Sequence, residues 1–434
     1  MQGVTRLMAK RRFAPLFVTQ FLNAFNDNFF KMAMVMLATY TILQGGEAEE
    51  AKYNALAGAV FILPFFTLSA IAGQLADMTD KTRIIRVIKT AEIGIMLVGA
   101  AGLFLHSIPL MFAALFAMGV HSTFFGPIKY GILPQHLEHD EVLGGTGLVE
   151  AGTYIAILSG TVIGGLLPAE WSAVGVIVVA LIGRVAAQFV PAAPPEADAP
   201  SGPIDRNILR SSWQQVRATM HVPRLFMAIV AISFFWAIGA VLAAQFPPMV
   251  KSAIGGDNTV ATLFTAVFSV GVALGSVAIN RLLKGEVSAR WSPLSVIVMG
   301  AFVLLLWWAV SVWQPIGAHG TLINWRTFLS DPDGDLILLA LLGVALSGGM
   351  FVVPLYAFLT TTVAKSETSR TIAANNIVNS GAMVAGALLY GWLASAGVRV
   401  TDTLLLVAAG CLVAAIIARR LHRVCQDGNC PPAT

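Results

Sequence analysis

The stretch Ala24-Phe25-Asn26-Asp27-Asn28-Phe29-Phe30-Lys31 sets a carboxylate and an ammonium inside an apolar segment long enough to cross a bilayer. Charges at that depth are costly and usually face a bundle interior or a wet cavity. Read as a helix, the segment carries Gln20, Asn23, Asp27 and Lys31 at steps of three or four residues, which makes one polar stripe. Phe21, Phe25, Phe29, Met32 and Met36 fall on the broad opposite side. The plainer alternative is a local Asp27–Lys31 pair that only pins the helix.

The composition extends this reading to the whole chain. Hydrophobic residues make up 57% of it and charged ones 12%, against about a quarter charged in soluble domains; the mean hydropathy is +0.77. Apolar runs of roughly 20 residues, the length that spans a hydrocarbon core, recur near residues 13–42, 53–76, 84–105, 109–130, 144–167, 171–191, 224–250, 258–283, 291–313, 335–362, 371–396 and 401–421. The expected fold is therefore an all-α membrane protein with twelve transmembrane helices in two six-helix halves. Residues 1–191 form the first half, 192–223 a cytoplasmic linker, and 224–434 the second half with a short tail. The linker, with Pro194, Pro195, Pro200, Pro203 and Trp213, reads as solvent-exposed with one surface helix.

The net charge of +4 does not point to nucleic acid, because the basic residues sit in short loops and not in a stripe or arm. Arg6, Lys10, Arg11 and Arg12 precede the first span, and Lys81, Arg83, Arg86 and Lys89 follow the second. Arg206, Arg210, Arg217 and Arg224, then Arg281, Lys284 and Arg290, then Lys365 and Arg370, and finally Arg419, Arg420 and Arg423 fall on the same side if the spans alternate. The positive-inside rule puts that side, and both termini, in the cytoplasm. The basic start followed by an apolar run mimics a signal peptide, but the run is too long and contains Asp27 and Lys31. Cys411 lies in the last span, while Cys425 and Cys430 sit in the tail; a lone pair of thiols is no zinc signature. No metal and no cofactor are expected.

The loop after the second span reads Gly73-Gln74-Leu75-Ala76-Asp77-Met78-Thr79-Asp80-Lys81-Thr82-Arg83. It resembles the cytoplasmic signature of the major facilitator superfamily, with Asp80 where a glycine is usual. In such a loop the glycine lets helices approach, the Asp can sit at the positive end of a neighbouring helix, and the basic residues can pair across a gate. Gly73, Asp77, Lys81 and Arg83 are accordingly the candidate gating residues. Gly160-Thr161-Val162-Ile163-Gly164-Gly165 approaches an antiporter motif of that superfamily, but Thr161 replaces its proline and small-residue helix packing explains it equally well.

Three further regions resemble one branch of the superfamily, the bacterial lysophospholipid transporters. They are Phe25-Asn26-Asp27-Asn28; Phe125-Gly126-Pro127-Ile128-Lys129-Tyr130-Gly131-Ile132-Leu133 followed by Gly147-Leu148-Val149-Glu150; and Gly348-Gly349-Met350-Phe351-Val352-Val353-Pro354-Leu355. Phe235-Trp236-Ala237-Ile238-Gly239-Ala240-Val241 is similar to the transporter part of fused transporter–acyltransferase proteins, and because the chain ends just after its last span no attached acyltransferase is expected. The resemblance implies a flippase of the bacterial inner membrane that moves lysophosphatidylethanolamine and related lysolipids to the cytoplasmic leaflet by alternating access with lateral openings. A separate cytoplasmic acyltransferase would then remake the diacyl lipid, and the transporter is expected to be a monomer. His136 and Asp140 lack the spacing of an acyltransferase His-x4-Asp motif, so no enzyme is expected.

Charges inside the spans are confined to the first half: Asp27, Lys31, Glu92, Lys129 and Glu150. The second half offers neutral polar and aromatic groups, among them Trp236, Gln245, Tyr356, Asn375, Asn376 and Asn379. A polar wall facing an apolar one suits a charged head with one acyl chain. Lys129 or Lys31 would meet phosphate, and Asp27 or Glu150 an amine. The candidate substrate residues are therefore Asn23, Asp27, Lys31, Lys129, Tyr130, Glu150, Trp236, Gln245, Tyr356, Asn375 and Asn379. Glu92 is expected to pair with another helix and hold the half together. The rival functions are a proton-coupled exporter of amphipathic drugs and a membrane-embedded acyltransferase.

Overall fold

Backbone polar groups in a bilayer have no water to bond, so apolar runs of this length must become helices. The computed structural model describes residues 7–42, 47–200, 202–314 and 322–426. Among the described residues twelve long helices follow one another: α1 (Ala14–Leu37), α2 (Glu47–Met78), α3 (Lys81–Phe104), α4 (Ile108–Gly131), α5 (His139–Leu166), α6 (Ala169–Gln188), α7 (Pro223–Met249), α8 (Asn258–Leu283), α9 (Ser292–Val312), α10 (Pro332–Thr361), α11 (Thr368–Ser395) and α12 (Thr403–Gln426). Eleven contain a stretch with the length and hydropathy of a membrane span. The other is α1, whose hydropathy is lowered by Gln20, Asn23, Asn26, Asp27, Asn28 and Lys31. Arg6 and Cys430 lie outside the described residues.

Local chemistry fixes several of the boundaries. Prolines open α1 and α4, where a missing N–H costs nothing. Glu138 and Glu141 form a capping box at the start of α5, and both also bind Arg12 Nη2, at 2.8 and 2.6 Å, while Lys10 pairs with Glu141. Asp80 caps α3, its Oδ1 accepting from Thr82 N at 2.8 Å and from Ala193 N at 3.2 Å.

By their contacts the residues fall into two units. The first contains α1–α6, the segment through His221, and Leu359–Ile377, which closes α10 and opens α11. Within it α1 packs on α5 and α6, α2 on α4, and α3 on α4 and α6. A methyl group added to Gly160 or Gly164 would run into the Phe25 or Phe29 carbonyl, so these glycines let α5 lie directly on the backbone of α1. That close approach is the small-residue packing their spacing allows. In the second unit, Val222–Phe358 with Val378 onward, α9 and α7 pack on α12, and α7 also touches α8.

One expectation needs correction. Lys89 is no loop charge: it lies inside α3, fully buried, in an ion pair with Glu92. Asn26 Nδ2 donates to Glu92 at 2.9 Å and to Val176 O at 3.2 Å, and His121 Nε2 lies 3.5 Å from Glu92, so the cluster joins α1, α3, α4 and α6. The linker is largely exposed and carries one surface helix, with a few polar contacts to the first unit. Ser366 Oγ donates to Asp198 at 3.0 Å, Asp205 N to Gln74 at 3.1 Å, and Gln215 Nε2, on a surface helix Ile208–Met220, to Arg370 O at 2.6 Å.

Candidate functional site

In the first unit α1 turns polar side chains toward four neighbours, α3, α4, α5 and α6, because its Asn and Gln residues occur at more than one helical phase. Asp27 is buried and accepts from Ser122 Oγ of α4 at 2.6 Å and from Asn23 Nδ2 at 3.3 Å; Asn23 also donates to Ser122 at 3.2 Å. Gln20 Oε1 accepts from Thr153 Oγ1 of α5 at 3.2 Å. Lys31, half-buried one turn beyond Asp27, forms no ion pair with it among the described residues, so the local pair is absent.

A second group comes from the C-terminal end of α4 and the N-terminal half of α5. Glu150 is fully buried and accepts the hydroxyl of Tyr130. Lys129 Nζ stands 4.7 Å from the centre of the Tyr130 ring, within cation–π range, and interacts electrostatically with both Glu150 and Asp27. Asp27, Lys129, Tyr130 and Glu150 thus form one neighbourhood holding both signs of charge. Thr146 and Thr153, on the same helical face as Glu150, bond their own helix at Val142 O and Val149 O, Thr153 in addition to its contact with Gln20. Asn375, from the start of α11, is buried, and the amide of the adjacent Asn376 would be met at 2.9 Å by a methyl group placed on Gly126.

In the second unit three of the uncharged candidates come together. Trp236 Nε1 donates to Tyr356 Oη at 2.7 Å, Asn379 Nδ2 donates to the same oxygen at 3.4 Å, and Ser233 Oγ donates to Asn379 Oδ1 at 2.6 Å. Gln245 is elsewhere: it donates to Thr403 Oγ1 at 2.6 Å and ties α7 to α12.

At the loop motif, Asp77 is fully buried. Its Oδ1 accepts from Ser369 N at 3.0 Å, and its Oδ2 from Arg370 N at 3.0 Å and Arg370 Nε at 3.3 Å. A carboxylate on the first free amides of α11 is the stable arrangement at a helix N-terminus. Gly73 allows it: a methyl group there would lie 2.6 Å from Ala373 Cβ and 3.0 Å from Arg370 Cα. Lys81 is fully buried and its Nζ has no hydrogen-bond partner among the described residues, whereas Arg83 is exposed.

Sequence reading missed Ser122 and Ser233, which complete the two polar groups; serines within a small-residue helix carry no distinguishing pattern. It also missed Lys89 as Glu92's partner, although the spacing of three residues was a usable signal. His136 Nε2 faces Ala192 O at 3.4 Å while Asp140 is exposed, so these two do not form a catalytic pair. Among the described residues no three His, Cys, Asp or Glu side chains gather as metal ligands would.

The sequence profile of the Major Facilitator Superfamily matches residues 16–330. A lysophospholipid transporter, LplT, from Cronobacter sakazakii is 29% identical over 393 residues, covering 88% of this chain and 87% of that protein. The human organic anion transporter MFSD10 superposes with a TM-score of 0.73 at 12% identity, over 96% of this chain and 99% of that one. A bacterial homologue of the iron transporter ferroportin does so at 0.69 and 13% identity, over 95% and 100%. At such identities the structural likeness is one of fold.

Proposed function

Because the chain belongs to the Major Facilitator Superfamily, a fold of multi-pass transporters and not of enzymes, we propose that it is a lysophospholipid transporter. In this reading it carries lysophosphatidylethanolamine and related lysolipids from the outer to the cytoplasmic leaflet of the bacterial inner membrane by alternating access, as a monomer with both termini in the cytoplasm. A separate acyltransferase would consume the delivered lipid.

The observation that carries the reading is the neighbourhood of Asp27, Lys129, Tyr130 and Glu150, which offers both charge signs inside one bundle. A zwitterionic head needs both, Lys129 for its phosphate and Asp27 for its amine. The neutral aromatic group of Trp236 and Tyr356 in the other unit suits the acyl chain. The relative from Cronobacter sakazakii supports the substrate class. A hydrophilic solute would call for charges in both units.

Purified protein in proteoliposomes, offered lysophosphatidylethanolamine, lysophosphatidylglycerol and diacyl phosphatidylethanolamine with and without a pH gradient, tests this. Movement of the monoacyl lipids in preference to the diacyl lipid is expected. Transport of amphipathic drugs driven by the gradient, with no lysolipid movement, would establish the exporter instead.

A further inference from the structure

The surface helix Ile208–Met220 is amphipathic in the opposite sense to a helix docked on a protein by its apolar side. Its inward face is small and polar: Ser211 and Gln215 are buried, and Gln215 reaches the Arg370 carbonyl. Its apolar residues Leu209, Trp213, Val216 and Met220 recur every three or four positions along one side, Leu209 and Trp213 exposed and Val216 and Met220 half-buried at its edge. Leu209 is 79% exposed and Trp213 68%. Arg210 and Arg217 flank this stripe and are exposed, as is Arg206 just before the helix; Arg210 Nε lies 3.6 Å from Asp205.

Connectivity says what meets the stripe. Only His221 and Val222 separate Met220 from α7, which enters its apolar span at Pro223. The helix therefore ends at the membrane boundary, whatever else it touches. An apolar stripe flanked by arginines in a helix of low overall hydrophobicity suits the plane of a lipid interface, and Trp is the residue most at home at headgroup depth.

We propose that this helix lies on the cytoplasmic surface of the membrane, with Leu209 and Trp213 seated among the lipid headgroups and Arg206, Arg210 and Arg217 meeting the phosphates of anionic phospholipids. The proposal rests on the orientation given above and not on the transported substrate. Through Gln215 the helix also touches Arg370, so it links the lipid surface to the residue that Asp77 holds.

The test uses full-length protein carrying Cys411→Ala, Cys425→Ser and Cys430→Ser, with a single new cysteine at Trp213→Cys or Gln214→Cys labelled with an environment-sensitive fluorophore. The protein is placed in phosphatidylcholine vesicles with or without phosphatidylglycerol, using acyl chains brominated near the headgroup. Quenching of the probe at 213 several-fold beyond that at 214, stronger with phosphatidylglycerol, is expected. The added effect of phosphatidylglycerol should disappear with Arg210→Gln and Arg217→Gln together. Equal quenching at the two positions would overturn the proposal and leave the stripe to a protein partner; quenching indifferent to phosphatidylglycerol would overturn its anionic part. No transport is measured, so failure here is distinct from failure of the proposed substrate.

Discussion

Asp77 binds Arg370 twice, Oδ2 accepting from its backbone N at 3.0 Å and from its Nε at 3.3 Å. With Ser369 N on Oδ1, three donors converge on one buried carboxylate at the start of α11. This contact is proposed to latch the cytoplasmic side. Asp77→Ala leaves those donors without their acceptor, a loss of about 1.5–3 kcal/mol for a charged hydrogen-bonding group, or roughly ten- to a hundredfold in population. Spin-label distances between the end of α2 and the start of α11 should lengthen in the variant; an unchanged distance distribution would rule the latch out.

Asp27→Asn keeps the volume and an oxygen that can accept from Ser122 and Asn23, while removing the charge. The variant is expected to fold and melt like the parent but to transport amine-bearing lysolipids roughly tenfold more slowly or worse, about 1.4 kcal/mol of lost interaction. Near-parental transport by the purified variant would remove Asp27 from the pathway.

Much of this was legible from residue pattern alone. The length and hydropathy of the runs give twelve helices, since a bilayer leaves the backbone no other way to bond; the stripe on α1 marks that helix as the polar one. Partners across helices were not legible, because helix periodicity orients a side chain without saying which neighbour it meets. Asp27 finds Ser122, 95 residues away, and not Lys31. Lys89 illustrates the opposite error: a lysine near a span end resembles a topology signal until its burial is known. The few contacts of the linker were hidden because they, such as Gln215 to the Arg370 carbonyl, run through polar groups that also occur in solvated loops.

Lys89 and Glu92 form a fully buried pair inside the first unit. Removing one charge strands the other, so Lys89→Met or Glu92→Leu alone is expected to cost about 3–5 kcal/mol, whereas replacing both with apolar residues of similar size should be far less damaging. Thermal melts of the two single variants and of Lys89→Met with Glu92→Leu make the cycle. Additive losses would show that the pair does not act as a unit.

His136, in the short turn between α4 and α5, is buried against Ala192 O, and burial holds its pKa below the usual 6.5. The unfolded chain therefore takes up a proton first as the pH falls, so this group's stabilisation is complete above the unfolded value and is lost toward the folded one. Melting temperature should decline as the pH falls below the unfolded histidine's 6.5, and the decline should be shallower in His136→Gln. Identical slopes for the two proteins would place the pH response elsewhere.

Lys129 is the cation of the site, held over the Tyr130 ring at 4.7 Å and drawn toward both Glu150 and Asp27. If it receives the lipid phosphate, Lys129→Ala should weaken binding of every phosphate-bearing lysolipid by a similar factor, roughly tenfold or more, whatever the rest of the head. Lys129→Arg should retain much of the binding, since phosphate accepts a guanidinium as readily as an ammonium. The acyl chain calls for a different response: Tyr356→Phe removes the hydroxyl that accepts from Trp236 Nε1 and Asn379 Nδ2, and should alter chain-length preference while leaving headgroup selectivity intact. Equilibrium binding with lysolipids varied separately in head and chain distinguishes the two. Headgroup selectivity that shifts with Tyr356→Phe and not with Lys129→Ala would reverse the assignment.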